Sequence, residues 1–178
     1  MSRFAVSAVG SDRPGIVSAV TKAFFENGCN LEDSAMTILG GHFAMMMVVA
    51  APPGVGAAQL DSALAPAADS FHLVVTVRPI EETAAMPPSG EAWTVSIYGS
   101  DRPGIVHRVA SLLAEGGVNI VDLSTRVIGA RERPVYAMLL EVTVPTGVDS
   151  GDLARRLEAA ASELGVECTF TPSDADIL

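Results

Sequence analysis

Apolar residues alternate with polar or small residues near the N-terminus and then change to a helical spacing. Residues 4–8 place an apolar side chain at every second position, which predicts a strand with one buried face. From Pro14 onward the apolar residues recur three and four positions apart, which predicts a helix with proline in its first turn. Asn27-Gly28 is expected to end this helix through a left-handed glycine.

The next segments repeat the strand and helix patterns. The Gly40-Gly41 pair is suited to a tight turn between two strands. Pro66 is expected to interrupt the second helix, because proline lacks the amide hydrogen that a helix interior uses. We predict strands over 31–39 and 43–51, a helix over 59–69 and a closing strand over 71–78.

The same pattern is present a second time. The octapeptide at residues 10–17, Gly-Ser-Asp-Arg-Pro-Gly-Ile-Val, recurs identically at residues 99–106. The register between the copies continues to Asp33 and Asp122, after which the second copy carries four extra residues between its middle strands. Its second helix is predicted over about 149–164. Eight consecutive identities with correctly spaced followers indicate an internal duplication.

Each copy has the order βαββαβ. This order predicts an α+β fold of the ferredoxin-like kind: a four-stranded antiparallel sheet with both helices on one face, present as two tandem domains. A domain of about 80 residues buries only about 60% of its unfolded surface, so association with further surfaces is expected. We predict domains over 1–80 and 92–172, a linker over 81–91 and an acidic tail over 173–178.

One strand of the first copy is apolar on both sides. In segment 43–51, Met46 and Val48 alternate with other apolar residues, whereas the second copy has Glu141 in place of Val48. We therefore expect the helix-free face of the first sheet to be covered by another domain or another chain. The alternative is that the consecutive methionines 45–47 only fill the core.

Charge and composition exclude several classes of partner. The formal net charge is −10 with scattered basic residues, so we expect no direct binding of nucleic acid. No apolar run is long enough for a bilayer and no signal-peptide pattern begins the chain, so a cytoplasmic protein without membrane contact is predicted. Cys29 and Cys168 occupy unmatched positions, which indicates two near-core cysteines without a disulfide.

The strongest candidate site is the turn between the first strand and the first helix. Gly15 leaves the first backbone N–H groups of the helix open, and the helix dipole makes this position suitable for a carboxylate. Asp12 can accept from an ammonium group, and Asn30 offers both a carbonyl and an amide. A free amino acid carries both kinds of charge. The alternative is structural: Asp12 caps the helix, Pro14 and Gly15 shape the turn, and Asn30 tolerates a left-handed backbone.

The two Asp-Arg-Pro-Gly-Ile-Val segments, each followed by Gly-x-Asn-Leu or Gly-x-Asn-Ile, resemble the ACT domain, a ligand-binding regulatory module. Two copies in one chain resemble the glycine cleavage system transcriptional repressor-like family, and the likeness covers residues 4–171. It implies domains that pair side by side and bind amino acids between the helix-start turn of one copy and strand residues of its neighbour. The implied ligand-binding positions are Asp12, Pro14, Gly15, Ile16 and Asn30 in the first copy and Asp101, Pro103, Gly104, Ile105 and Asn119 in the second.

The second copy departs from the first near these positions. The insertion at 129–134 is a candidate to close over one site, and Val118 in place of Cys29 is expected to change the lining of that site. Two sites of unequal affinity, or one site in use, are therefore expected.

The resemblance implies a non-catalytic regulatory homo-oligomer that senses an amino acid. Its partner would be a protein such as a DNA-binding transcriptional regulator in glycine cleavage or amino-acid metabolism. The alternative is a regulatory subunit that conveys feedback control to a biosynthetic enzyme. We expect no catalytic residue, cofactor or metal, because the three histidines lack ligand spacing and no nucleophile or dinucleotide motif is present. His42 is expected at the hairpin turn and His72 at the start of the closing strand.

Overall fold

The computed structural model describes residues 2–80, 89–129 and 134–173 of the chain. It divides into two compact units, Met1–Ala85 and Met86–Leu178, each with its own hydrophobic core. Both units have the predicted order βαββαβ and a four-stranded antiparallel sheet. The ferredoxin-like fold and the duplication are therefore confirmed.

The first unit has its strands in the spatial order β2-β3-β1-β4, so β2 and β4 form the edges of the sheet. All neighbouring strands are antiparallel. Its elements are β1 (Ser2–Ser11), α1 (Ile16–Glu26), β2 (Asn30–Leu39), β3 (His42–Ala51), α2 (Ala57–Phe71) and β4 (Val74–Pro79).

The second unit repeats this topology in the order β6-β7-β5-β8. A register irregularity early in β6, between Ile120 and Asp122, matches the one between Leu31 and Asp33 in β2. Its elements are β5 (Gly90–Gly99), α3 (Ile105–Glu115), β6 (Asn119–Ile128), β7 (Val135–Pro145), α4 (Ser150–Leu164) and β8 (Val166–Pro172).

The second helix of the first unit does not stop at Pro66, as the sequence suggested. Helix α2 continues through this residue to Phe71. Pro66 and Ser62 are both exposed, so the Ser62 carbonyl that loses its helical partner faces solvent at little cost. Consequently His72 caps the helix in a left-handed conformation (φ 55°) and does not begin the strand, which starts at Val74.

The predicted linker is shorter at its C-terminal end. Gly90 and Glu91 pair with Pro145 and Val144, so they are the first residues of β5. Residues 81–88 of the linker, residues 130–133 of the predicted insertion and residues 174–178 of the predicted tail lie outside the described residues.

The cores lie between each sheet and its two helices. The alternating residues at 4–8 are buried on that side, as the pattern predicted. Cys29 and Cys168 are free thiols that pack against the two cores, which agrees with the sequence interpretation. Burial raises the pKa of both thiols, that of Cys168 to about 11 with a smaller contribution from the Glu158 carboxylate.

The first glycine of the repeated octapeptide has a packing role that the sequence did not reveal. A Cβ atom at Gly10 would lie 2.7 Å from Cδ2 of Leu73. A Cβ atom at Gly99 would lie 2.7 Å from Cγ1 and 2.9 Å from Cα of Val166. These glycines therefore let the closing strand begin directly against the first strand of each unit.

Replacing Gly99 by alanine should destabilise the second unit by about 1–3 kcal/mol, because the added methyl group overlaps backbone that cannot easily move. Trp93, the only tryptophan, stacks on Phe170 at 4.5 Å, so its fluorescence during urea unfolding reports on this unit. Gly116→Ala is the matched control, since a Cβ atom there makes ordinary contacts of 3.5 Å or longer. Equal unfolding midpoints for Gly99→Ala and the wild type would contradict the packing role.

Candidate functional site

A left-handed glycine connects the first strand of each unit to its first helix. Gly15 has φ 98° and Gly104 has φ 95°, a region that residues with a side chain rarely adopt. No side chain makes a capping hydrogen bond at either helix start. The two identical octapeptides therefore form the same uncapped turn.

The backbone amides at the start of both helices are open. The first amide of α1 with a helical partner is that of Ala19, which donates to the Gly15 carbonyl at 2.9 Å. Within residues 2–80, the preceding amides of Ile16, Val17 and Ser18 make no hydrogen bond of 3.5 Å or less, and Pro14 and Gly15 form a turn just before them. Arg108 makes the equivalent bond at the start of α3, also at 2.9 Å. Open amides at a helix N-terminus are suited to binding an anion.

Helix α4, unlike α1 and α3, has a side chain that caps its first backbone amides. The Asp149 carboxylate accepts from the Asp152 amide at 3.0 Å at the beginning of α4. Asp12 makes no such bond to α1, so the capping alternative for this residue is not observed. Its backbone amide instead donates to the Gly41 carbonyl at 2.9 Å, and this bond ties the turn to the β2-β3 hairpin. The exposed Asp12 side chain remains available to a cation.

The isoleucines that follow the glycines anchor the turns. Ile16 and Ile105 are each only 1% exposed, and their side chains belong to the two cores. Only the backbone N–H of either residue is therefore available to a ligand. Pro14 and Pro103 are exposed beside them.

Asn30 lies far from the turn of its own unit. It pairs with Ala50 at one end of β3, whereas Ser11, just before the turn, pairs with His42 at the other end. Eight residues of strand span about 26 Å. A single unit therefore brings together Asp12, Pro14, Gly15 and the Ile16 amide but not Asn30. Asn30 has an extended strand conformation, so it does not serve a left-handed turn.

The second copy has the same separation. Asn119 pairs with Thr143 near one end of β7, while Gly99, before the second turn, pairs with Tyr136 near the other. Gly104 and Asp101 thus lie at the opposite end of the sheet from Asn119.

Different side chains surround the two turns. A Cβ atom at Gly15 would lie 3.4 Å from the ring of Phe71, which marks an aromatic wall beside the first turn. In the second unit the guanidinium of Arg102 lies over Gly165, at the C-terminal end of α4. The partial negative charge of a helix C-terminus favours a cation at this position. Because the two octapeptides are identical, the sequence did not predict this difference in their surroundings.

The second turn also has a phenol where the first unit has Phe43. Burial raises the pKa of Tyr136, the Asp101 carboxylate adds to the rise, and a hydrogen bond with Thr125 opposes it. Tyr136 also donates to Sδ of Met138 at 3.8 Å. The second turn is therefore the more polar of the two.

Cys29 and Val118, which differ between the two copies, both contact the cores of their units. Val118 is buried in its core, and the half-buried Cys29 packs against the core of the first unit. The Cys29 thiol donates to the Asn27 carbonyl at 3.7 Å. Both side chains thus take part in packing between helix and sheet.

The described ranges contain no cluster of three histidine, cysteine or carboxylate side chains that could hold a metal ion. In the same part of the chain, every helix is too short or too polar to cross a membrane. His42, His72 and His107 are exposed on separate elements.

Comparisons with known proteins place these features in context. A family model described as ACT domain matches residues 2–78 and 93–171. The glycine cleavage system transcriptional repressor of Escherichia coli (strain K12) is 24% identical over 164 residues, covering 91% of this chain and 85% of that protein. A UPF0237 protein of Methanopyrus kandleri is 38% identical over 81 residues, which are 45% of this chain and 86% of that protein. The crystal structure of an unknown protein from Galdieria sulphuraria superposes with a TM-score of 0.83 at 28% identity, covering 97% of this chain and 99% of that one.

Replacing Asp101 by asparagine should lower the pKa of Tyr136, because the removed carboxylate disfavours the phenolate. In a Tyr98→Phe background Tyr136 is the only tyrosine, so the ultraviolet absorbance of its phenolate gives the midpoint directly. Glu141→Gln is the control, since that carboxylate lies on the opposite face of the sheet. A midpoint that does not change in Asp101→Asn would show that Asp101 does not face the phenol.

Proposed function

This chain belongs to the ACT-domain family and carries two ACT domains in tandem, and from that premise we propose that it is a non-catalytic regulatory protein that binds an amino acid. One observation carries the proposal: in both domains the first amides of the helix are open, next to an exposed aspartate. Neither domain fills this position with a side chain of its own within the described residues.

The turn offers complementary groups to the two ends of an amino acid. The α-carboxylate would accept from the amides of Ile16, Val17 and Ser18, where the helix dipole contributes roughly half a positive charge. The α-ammonium group would donate to Asp12, whose carboxylate has no other partner in residues 2–80. The second turn would bind through the equivalent groups around Gly104 and Asp101.

A neighbouring domain would complete each site with its asparagine. The edge strands β2 and β6 carry apolar side chains that their own helices leave uncovered: Met36 is 51% exposed and Val127 is 58% exposed. Antiparallel pairing of two such edges would cover these side chains and set the start of one strand beside the end of the other. Asn30 or Asn119 would then lie next to the helix-start turn of the neighbouring domain. Within its own unit, each asparagine lies at the opposite end of the sheet from that turn.

The two kinds of turn would differ in affinity. Phe43 and Phe71 make the first apolar, whereas Tyr136 and Arg102 add polar groups to the second. A ligand with a polar side chain would therefore prefer the second turn.

We propose a DNA-binding regulator as the protein partner, with the complex in the cytoplasm. The Escherichia coli relative is named a transcriptional repressor, yet a chain of net charge −10 is poorly suited to hold DNA itself. Ligand binding would change this partnership only through its different affinity for the free and bound forms. Recovery of a biosynthetic enzyme in a pull-down would instead favour a feedback subunit.

A thermal-shift screen against the twenty amino acids tests ligand binding, with glycine and serine first. A ligand at 100 times its Kd should add about 2.7 kcal/mol to the stability of the domain that binds it. No shift with any amino acid at millimolar concentration, in a folded sample, would contradict the proposal.

Asn30→Ala and Asn119→Ala should each weaken the binding of the amino acid found in that screen, measured by calorimetry on the full chain. Ser62→Ala is the control, because its exposed hydroxyl on α2 donates only within the helix, to the Ala58 carbonyl. Substitution of Gly15 is unsuitable as a probe, since a side chain at φ 98° would strain the turn itself. If the double variant Asn30→Ala/Asn119→Ala bound the amino acid with wild-type affinity, the proposal that a neighbouring domain's asparagine completes each site would be contradicted.

A further inference from the structure

The face of the first sheet opposite its helices carries exposed apolar side chains. Val9 is 46%, Met46 60% and Val74 70% exposed. These residues lie in two of three rows that run across all four strands, and together the three rows form what we call the bare face. Its rows are Asp33, Val48, Ala5 and Arg78; Ala35, Met46, Ser7 and Thr76; and Thr37, Ala44, Val9 and Val74.

The second unit shows that the fold does not require this apolar surface. With the same strand order and register, it has Glu141 at the position of Val48 and Glu167 at the position of Val74. It also has Ser124 at the position of Ala35. The two sheets share strand order and register, so the fold of the unit does not explain why the first sheet has apolar residues at these three positions.

The first row of the bare face is complementary to itself. It begins with Asp33 on the edge strand β2 and ends with Arg78 on the opposite edge strand β4. Neither residue has an ion-pair partner within residues 2–80. A twofold rotation about an axis parallel to the strands, between β1 and β3, sets Asp33 of one copy against Arg78 of the other. The same rotation forms the pair a second time.

We propose that two copies of this chain associate through the bare faces of their first units, as a twofold-symmetric sandwich of two sheets. Sheets that pack in this aligned way lie about 10 Å apart, a distance that side chains on both inner faces can fill. A twofold contact uses the same surface on both copies, and the bare face is suited to this because its first row is complementary to itself.

The other two rows fit the same arrangement. Met46 of one copy would pack against Ser7 of the other, and Ala44 against Val9. The hydroxyl groups of Ser7 and Thr76 already hydrogen-bond to each other at 2.7 Å, so each of the two keeps a partner when the face is buried. No carboxylate would meet another carboxylate across the contact.

The equivalent face of the second unit is a poor occupant for this surface. In the same arrangement it would bring Glu141 against Ala5 and Glu167 against Thr37. Both carboxylates would lose water without gaining a cation, which is costly. A second copy of the first unit avoids this cost.

The three rows of the bare face limit the size of the interface. Each row takes every second residue, so the rows occupy about six residues along each of four strands. At about 3.3 Å per residue and about 4.8 Å between strands, each copy offers roughly 400 Å². Two copies would bury roughly 800 Å², which is below the size of standard stable interfaces, so association should be weak and depend on concentration.

Sedimentation equilibrium of the full chain over a wide concentration range tests the proposal. Val48→Glu should lower the mean mass by up to twofold at high concentration, and the unit should still fold because the second unit has glutamate there. Leu139→Glu, at the position of Met46 in the second unit, is the control and should leave the mass unchanged. A wild-type chain that is monomeric throughout, or a mass unaffected by Val48→Glu, would overturn the proposal in favour of another occupant.

Charge exchange tests the symmetry. Asp33→Arg alone and Arg78→Asp alone should each weaken association, because each sets like charges against each other twice. Mixing these two variants should restore association, since every contact between unlike chains is then a pair of opposite charges. The double variant Asp33→Arg/Arg78→Asp should also associate. Mixed single variants that associate no better than either alone would overturn the twofold arrangement.

Discussion

The left-handed glycine between the first strand and the first helix is the constraint on which each unit depends. Gly15 turns the chain so sharply that Ile16 enters the core within one residue, while the amides beside it stay at the surface. A side chain that capped the helix would have closed those amides. The same turn thus stabilises packing on one side and leaves hydrogen-bonding capacity on the other, which is why a structural motif can also serve as a site.

Strand length explains why the proposed ligand site needs residues from more than one domain. Asn30 and Gly15 lie at opposite ends of the same sheet, because ten-residue strands separate the start of β2 from the end of β1. A small ligand cannot bridge that distance, whereas a neighbouring edge strand in antiparallel orientation can supply the missing asparagine. Domain pairing and ligand binding are therefore energetically linked in the proposed function, since each contributes surface that the other uses.

Duplication has kept one scaffold and changed its surfaces. The octapeptides are identical, and their glycines have closely similar left-handed conformations. Around them, Phe43 corresponds to Tyr136, and on the far face Val48 corresponds to Glu141. These exchanges leave the buried positions apolar or nearly so, and they lie beside the helix-start turn and on the exposed face of the sheet. The acidic face of the second unit suits solvent, and the apolar face of the first suits a partner surface.

The sequence by itself determined the repeat, the strand and helix order and the helix-start turn, because period, glycine and proline act locally and are visible in any one copy. The sequence pattern predicted a helix break at Pro66 and a strand start at His72, and both predictions were wrong. Pro66 lies on the exposed side of α2, where a carbonyl without a helical partner can face solvent. Only the tertiary structure placed Asn30 away from its own turn, brought Asp101 to Tyr136 and aligned Asp33 with Arg78. Those relations join residues far apart in the chain, and strand register alone decides them.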